Sequence, residues 1–263
     1  MIVRKTAVRI LRFGKALRRS ALAFFRGLTD TIFPRSCVIT GKALEDGELE
    51  FISESGAKLL YMIHAADACP RCGAFSAGEG QAERICRNCA DRGGEELHIG
   101  RSRSVVRLDR FSRPIVFSLK YWKHPAMARD MATLAKRSRG FPEYLENAVL
   151  VPVPLYRKRL RTRGYNQSLH LAQAFAAIAP GARVEDVLER RRDTGTQTHL
   201  DADGRRENVQ GAFSAKPGFK ADPHKRYVLI DDVFTTGSTL SECARALRRR
   251  GACIIDAATF AHG

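Results

Sequence analysis

The absences in this chain narrow it first. No apolar run approaches the ~18 residues that a membrane-spanning helix requires, so a bilayer-crossing protein is not expected. Tryptophan occurs once and aromatic residues make up 8% of the 263 positions, which leaves no evident stacking platform for nucleic-acid bases. Acids are scarce, with 28 Asp and Glu against 45 Lys and Arg for a formal charge of +17, and this excludes an acidic solvating tail. No Gly-Lys-Ser/Thr follows a glycine-rich run, which disfavours a Walker-type nucleotide site. At 44% hydrophobic residues the chain has enough apolar material to bury a core, so wholesale disorder is excluded as well.

The positive excess is uneven. Arg4, Lys5, Arg9, Arg12, Lys15, Arg18, Arg19 and Arg26 face a single acid, Asp30, within the first thirty residues. Apolar residues at near-helical spacing lie between them, so residues 1–33 are expected to form a basic amphipathic helix ending before Pro34. Such a helix could lie on anionic lipid or nucleic acid, or pack on its own protein with a solvated basic face. It has no uninterrupted apolar stretch and is not expected to be a secretory signal.

Seven cysteines are present. Cys69 and Cys72 form one C-x2-C pair and Cys86 and Cys89 a second, thirteen residues on. Two such knuckles close around one tetrahedral ion with four thiolates, which points to structural zinc rather than a redox dithiol. Arg71, Arg84 and Arg87 lie near enough in sequence to offset the dianionic centre. A reducing cytoplasm is the expected compartment, with membrane-peripheral contact through the leading helix left open. Cys243 and Cys253 are expected to be buried core thiols.

Residues 37–68 show weak periodicity, and Gly73–Gln81 is a small-residue loop. Composition changes after Arg92-Gly93-Gly94, giving an expected division into a leading helix at 1–33, a zinc-ribbon-like module at 34–97 and a larger domain at 98–263. "SVVRLDRFSRPIVFSLKYWKH" has the composition of short strands, followed by a helix over about Pro125–Arg139. Ala148–Pro154 is a continuous apolar strand, a basic turn follows, and a helical pattern runs from Asn166 to Ala179, ended by Pro180-Gly181. Arg226–Asp232 is a second buried strand, Ser238–Arg250 a helix, and "ACIIDAATFA" a third strand. Unbroken apolar strands alternating with helices imply an α/β fold with a parallel sheet covered on both faces.

The most informative segment is "VLIDDVFTTGSTL", Val228–Leu240. A buried strand ends in two carboxylates, Asp231 and Asp232, and Thr235, Thr236, Gly237, Ser238 and Thr239 make a small-residue turn into a helix. Successive N–H groups and the helix N-terminus suit a phosphate, and a carboxylate just before them suits vicinal sugar hydroxyls. This segment resembles the phosphoribosyl-pyrophosphate (PRPP) signature of type I phosphoribosyltransferases. The resemblance implies that Arg157, Lys158, Arg159, Arg161 and Arg163, directly after the first buried strand, hold pyrophosphate, with Mg²⁺ accompanying PRPP.

Further motifs narrow the resemblance to the ComF family, which joins an N-terminal zinc module to a phosphoribosyltransferase-like domain and is associated with DNA uptake. They are Arg163, Gly164, Asn166 and Gln167, then Arg190, Thr194, Gln197, Arg206, Asn208, Gly211, Ala212 and Phe213. Family members often carry a further cysteine set. Here Cys37 is followed at the pairing position by Thr40, so that set is incomplete. The resemblance leaves three functions open: a PRPP–Mg-binding protein handling single-stranded DNA, an active transferase on an unidentified nucleobase or amine, and a nucleotide-sensing regulator. His64, His98, His124, His170, His199, His224 and His262 are scattered and form no catalytic set. Tyr121, Trp122 and Tyr165 are the aromatic candidates for base stacking, with packing at the domain junction the plainer role for Tyr121 and Trp122.

Overall fold

The computed structural model describes residues 35–44, 47, 49–75, 85–90, 97–121, 124–194 and 209–263. The leading helix, Arg84, Trp122, Gln197, His199, Arg206 and Asn208 lie outside them. Among the described residues no helix is long and apolar enough to cross a membrane.

A single turn, α1 (Glu54–Ala57), and a second, α2 (Arg87–Ala90), precede strand β1 (Ser102–Arg107). Helices α3 (Arg113–Tyr121), α4 (Met127–Arg137) and α5 (Phe141–Leu145) follow, then β2 (Val149–Pro152), α6 (Arg157–Arg163), α7 (Gln167–Ala176), β3 (Arg183–Val184), β4 (Leu188–Arg190) and β5 (Phe213–Ala215). The chain closes with β6 (Arg226–Phe234), α8 (Ser238–Arg248) and β7 (Ile254–His262). Five strands form one parallel sheet in the order β1-β7-β6-β2-β3, while β4 and β5 pair as a separate antiparallel ribbon. This is the parallel, helix-flanked α/β sheet that the apolar runs imply.

Two segments fold differently from their sequence expectation. The second half of "SVVRLDRFSRPIVFSLKYWKH" is helix α3. Asp109 Oδ1 accepts the Phe111 and Ser112 N–H groups and turns the chain, Pro114 sits in the first helical turn, and Ile115, Val116 and Leu119 bury one face. The β-branched pair at 115–116 gives it strand-like composition, and tertiary packing overrides that preference. The basic turn after β2 is likewise helix α6, ended by Gly164 in the left-handed conformation at φ +86°. Arg, Lys and Leu are good helix formers, and with no buried residue α6 stands off the sheet.

The sheet divides two cores. On one face Val228, Ile230, Leu150 and Phe260 pack with Leu119 of α3, Met131 and Leu134 of α4 and Phe175 of α7. Cys37, Leu49, Ile52 and Leu60 join that core, so the weakly patterned stretch at 37–68 is tied to the sheet. Asp130 of α4 anchors it: its buried carboxylate accepts the N–H groups of Glu50 at 2.9 Å and Phe51 at 2.8 Å. Exposed pairs Arg129–Glu50 and Arg137–Glu54 add little beyond this. On the other face Tyr227, Leu229, Val149 and Val151 pack with Leu240, Cys243 and Leu247 of α8, and with Cys69, Cys72 and Cys89. Cys243 is buried as expected, whereas Cys253 is exposed, lying just before β7 rather than within it.

Removing the Asp130 carboxylate leaves two partly buried N–H groups without that acceptor. Asp130→Ala is expected to cost about 1–3 kcal/mol, read as a lower urea midpoint with an unchanged denaturant slope.

Candidate ligand site and metal centre

Strand β6 delivers the two acids to the carboxyl edge of the sheet, where parallel α/β sheets bind ligands. Asp232 is buried at 3% exposure and Asp231 partly so. Asp231 Oδ1 accepts the Ser168 hydroxyl at 3.0 Å and the Asp232 N–H at 2.9 Å. Asp232 Oδ2 lies 2.5 Å from the Lys120 ammonium. Burial, followed by the neighbouring Asp232 charge, raises the Asp231 carboxyl to about 7, against a smaller opposing pull from Lys120. Asp231 therefore keeps its proton to a higher pH than an ordinary carboxyl does.

The turn that follows is shaped by one glycine. Gly237 has φ +77°, and a Cβ there would stand 2.8 Å from the Phe234 ring and 3.2 Å from Leu97. The Thr236 and Ser238 hydroxyls lie 2.8 Å apart over the first turn of α8, and Leu240 and Cys243 hold that helix in the core. Residues 235–239 thus set hydroxyls and N–H groups around the positive end of an eleven-residue helix, an arrangement that fits a phosphate.

The segment Arg163–Ser168 does local work that its sequence only hinted at. Gly164 ends α6, Asn166 caps α7 by accepting the Ser168 N–H, and the Asn166 amide donates to the Val153 carbonyl at the end of β2. This cap aims the Ser168 hydroxyl at Asp231. The Arg163 guanidinium donates to Gln167 and lies 5.5 Å from the Tyr121 ring centre. Arg157 and Lys158 are exposed on α6 and Arg159 is partly buried. Arg190, at the end of β4, lies over the Phe213 ring and donates to Thr194. Burial lowers its affinity for protons, with Arg159 adding to that and Cys243 and Asp231 opposing it, so Arg190 feels the charge of Asp231.

Lys120 and Ser168 are the site residues that sequence reasoning missed. Tyr121 also departs from its plainer role: it is 58% exposed, beside Phe117 at 48%, with ring centres 4.6 Å apart. Tyr165 instead donates to the Leu119 carbonyl and packs on His170, while His262 stacks on Phe234.

The four paired cysteines converge. Their sulfurs all lie within 4.8 Å of one another, with Cys72 and Cys86 at 3.5 Å, close to the separation that four thiolates on one tetrahedral ion require. Ala74 N–H donates to Cys72 and Cys86 N–H to Cys69, both at 3.4 Å. Gly73, at φ +74°, turns the first knuckle against β1, where a Cβ would meet the Ser102 carbonyl at 2.6 Å. Burial raises the Cys72 thiol, and the nearby Cys69 sulfur raises it further. A cation is what lets such a set carry its negative charge. The donor chemistry and spacing fit a metal ion.

The comparisons with known proteins agree with this geometry. Residues 166–263 match the phosphoribosyl transferase domain family. Competence protein F of Haemophilus influenzae is 33% identical over 135 residues, covering 51% of this chain and 59% of that protein. DNA utilization protein YhgH of Salmonella typhi is 36% identical over 148 residues, covering 54% of this chain and 63% of that protein. Over these stretches the chain is similar to competence protein F and to the phosphoribosyl transferase domain family. The matched stretch spans about three fifths of the length of these relatives. An orotate phosphoribosyltransferase of Helicobacter acinonychis is 34% identical over 56 residues, 21% of this chain and 28% of that protein.

Two outcomes follow from the site's construction. Asp231 is protonated more readily in the folded than in the unfolded chain, so its ionisation lowers stability as pH rises from the ordinary carboxyl range to about 7. Asp231→Asn is therefore expected to melt above wild type at pH 8, with the gap closing towards pH 4; a variant that melts lower at pH 8 contradicts this. Cys72→Ser is expected to lose the bound metal, measured as metal per chain by elemental analysis, together with the docking of the knuckles.

Proposed function

We propose that this protein binds PRPP, or a related ribose phosphate, with Mg²⁺ at the β6–α8 edge and acts in the handling of single-stranded DNA during DNA uptake. The observation that carries the proposal is the junction of Asp231 and Asp232 with the Gly237 turn at one strand end, in a chain similar to competence protein F. The turn at 235–239 receives the 5′-phosphate, and the acid pair accepts the ribose hydroxyls. Mg²⁺, when bound, would offset the negative charge of the ligand's pyrophosphate. Zinc is the ion proposed for Cys69, Cys72, Cys86 and Cys89, in a folding rather than chemical role.

The DNA part of the proposal draws on charge and on α3. The chain is strongly basic, and exposed Phe117 and Tyr121 flank Arg163 and the cations of α6. Exposed rings next to guanidinium groups suit unpaired bases, while the cations suit the backbone. The second reading is a transferase, because the β4–β5 ribbon brings Arg190 within the electrostatic reach of Asp231.

Calorimetry with Mg²⁺ and PRPP tests the ligand half: wild type is expected to bind and the Asp231→Asn/Asp232→Asn double variant to lose binding. Intact PRPP afterwards supports a binding protein, and pyrophosphate release supports the transferase. Single-stranded DNA affinity is expected to fall steeply between low and high salt. No DNA binding at low salt overturns the DNA half.

A further inference from the structure

The acid pair has a cation beside it that sequence spacing did not assign. Five basic residues of α6 follow β2, but α6 buries none of its side chains, Arg157 and Lys158 are exposed, and Arg163 is engaged by Gln167 and Tyr121. Lys120 comes from the opposite direction. It is the penultimate residue of α3, whose Leu119 is fully buried in the first core and whose Leu119 carbonyl accepts the Tyr165 hydroxyl. The backbone that carries Lys120 is thereby fixed from both sides. Its ammonium, on a side chain about a quarter exposed, reaches Asp232 at 2.5 Å.

An ammonium clipped to a ribose-binding carboxylate has a particular relation to PRPP. The hydroxyls that a carboxylate accepts are on C2 and C3, and the pyrophosphate is bonded to C1, the next ring atom. A flexible, compact cation beside Asp232 can meet oxygens on that neighbouring carbon without leaving the carboxylate's field. The buried acid pair also has to keep a counter-charge while the ligand's hydroxyls are absent, and Lys120 supplies one.

Resting on the PRPP-binding function proposed above, we infer that Lys120 is a ligand-binding and specificity-determining residue that reads the pyrophosphate of PRPP. In the ligand-free protein it pairs with Asp232. In the complex its N–H groups turn to the pyrophosphate oxygens as ribose hydroxyls take their place on the carboxylate. Lys120 thus separates PRPP from ribose phosphates that lack the second group, a role that nothing in the phosphate turn performs.

The test is calorimetric titration of Mg²⁺–PRPP and, separately, of ribose 5-phosphate with Mg²⁺ into wild type, Lys120→Met and Lys120→Arg, each with a thermal melt. Lys120→Met is expected to weaken Mg²⁺–PRPP by roughly tenfold or more while ribose 5-phosphate changes by no more than about twofold. Lys120→Arg is expected to recover part of the PRPP affinity, because the positive charge remains. If both ligands weaken alike in Lys120→Met and Lys120→Arg restores both alike, Lys120 merely supports Asp232 and the inference is overturned. Unchanged PRPP affinity in Lys120→Met overturns it too. Should Lys120→Met fail to fold, the PRPP-to-ribose-5-phosphate ratio of Lys120→Arg decides: a shifted ratio upholds the role and an unshifted one removes it. Wild type that binds neither ligand overturns the function on which the inference rests, whatever the variants do.

Discussion

Strand β6 has no solvent-facing side for most of its length. Tyr227 and Leu229 point into one core and Val228 and Ile230 into the other, and all four are buried. Past Ile230, where the pairing with β2 stops, two polar side chains follow in succession. The constraint that follows is electrostatic: adjacent carboxylates on a buried strand end repel, and each must find a donor or a cation. Ser168 serves Asp231 and Lys120 serves Asp232. Much of the surrounding architecture brings those two partners into place, α3 from one flank and the Asn166 cap of α7 from the other.

The segment before β1 and β1 itself couple the cysteine module to the ligand turn. Leu97 packs where a Gly237 side chain would stand, and the His98 N–H donates to Ser241 of α8 at 3.0 Å. Arg103 reaches back from β1 to the Cys69 carbonyl. The knuckles therefore pack against the sheet face that carries α8, so a metal held by the cysteines would stabilise the same core that holds the turn at 235–239.

Local signals carried much of this in the sequence. The apolar runs at Ala148–Pro154 and Arg226–Asp232, the Asp-Asp-x-x-Thr-Thr-Gly-Ser-Thr turn and the two C-x2-C pairs are each contiguous, so their meaning survives without the fold. The partners of the acids were not legible, because their role arises only through tertiary contact; Ser168 meets Asp231 across 63 residues, and a lone Lys in "SLKYW" gives no sign of the carboxylate it reaches. Helix α3 was obscured by Ile115-Val116, and α6 by its lack of any apolar face. The stretch at 37–68 concealed its packing for a related reason: Leu49, Ile52 and Ile63 are buried in largely irregular backbone, where no period betrays them.

The central claim is that one strand end assembles a phosphate turn, a ribose-binding acid pair and its counter-ion into a single ligand site. Its most direct test is a crystal structure of the protein soaked with Mg²⁺ and PRPP. The account predicts the 5′-phosphate within residues 235–239 and ribose hydroxyls on Asp231 and Asp232. Ligand density elsewhere on the molecule, with this strand end still closed by the Lys120–Asp232 pair, would contradict it.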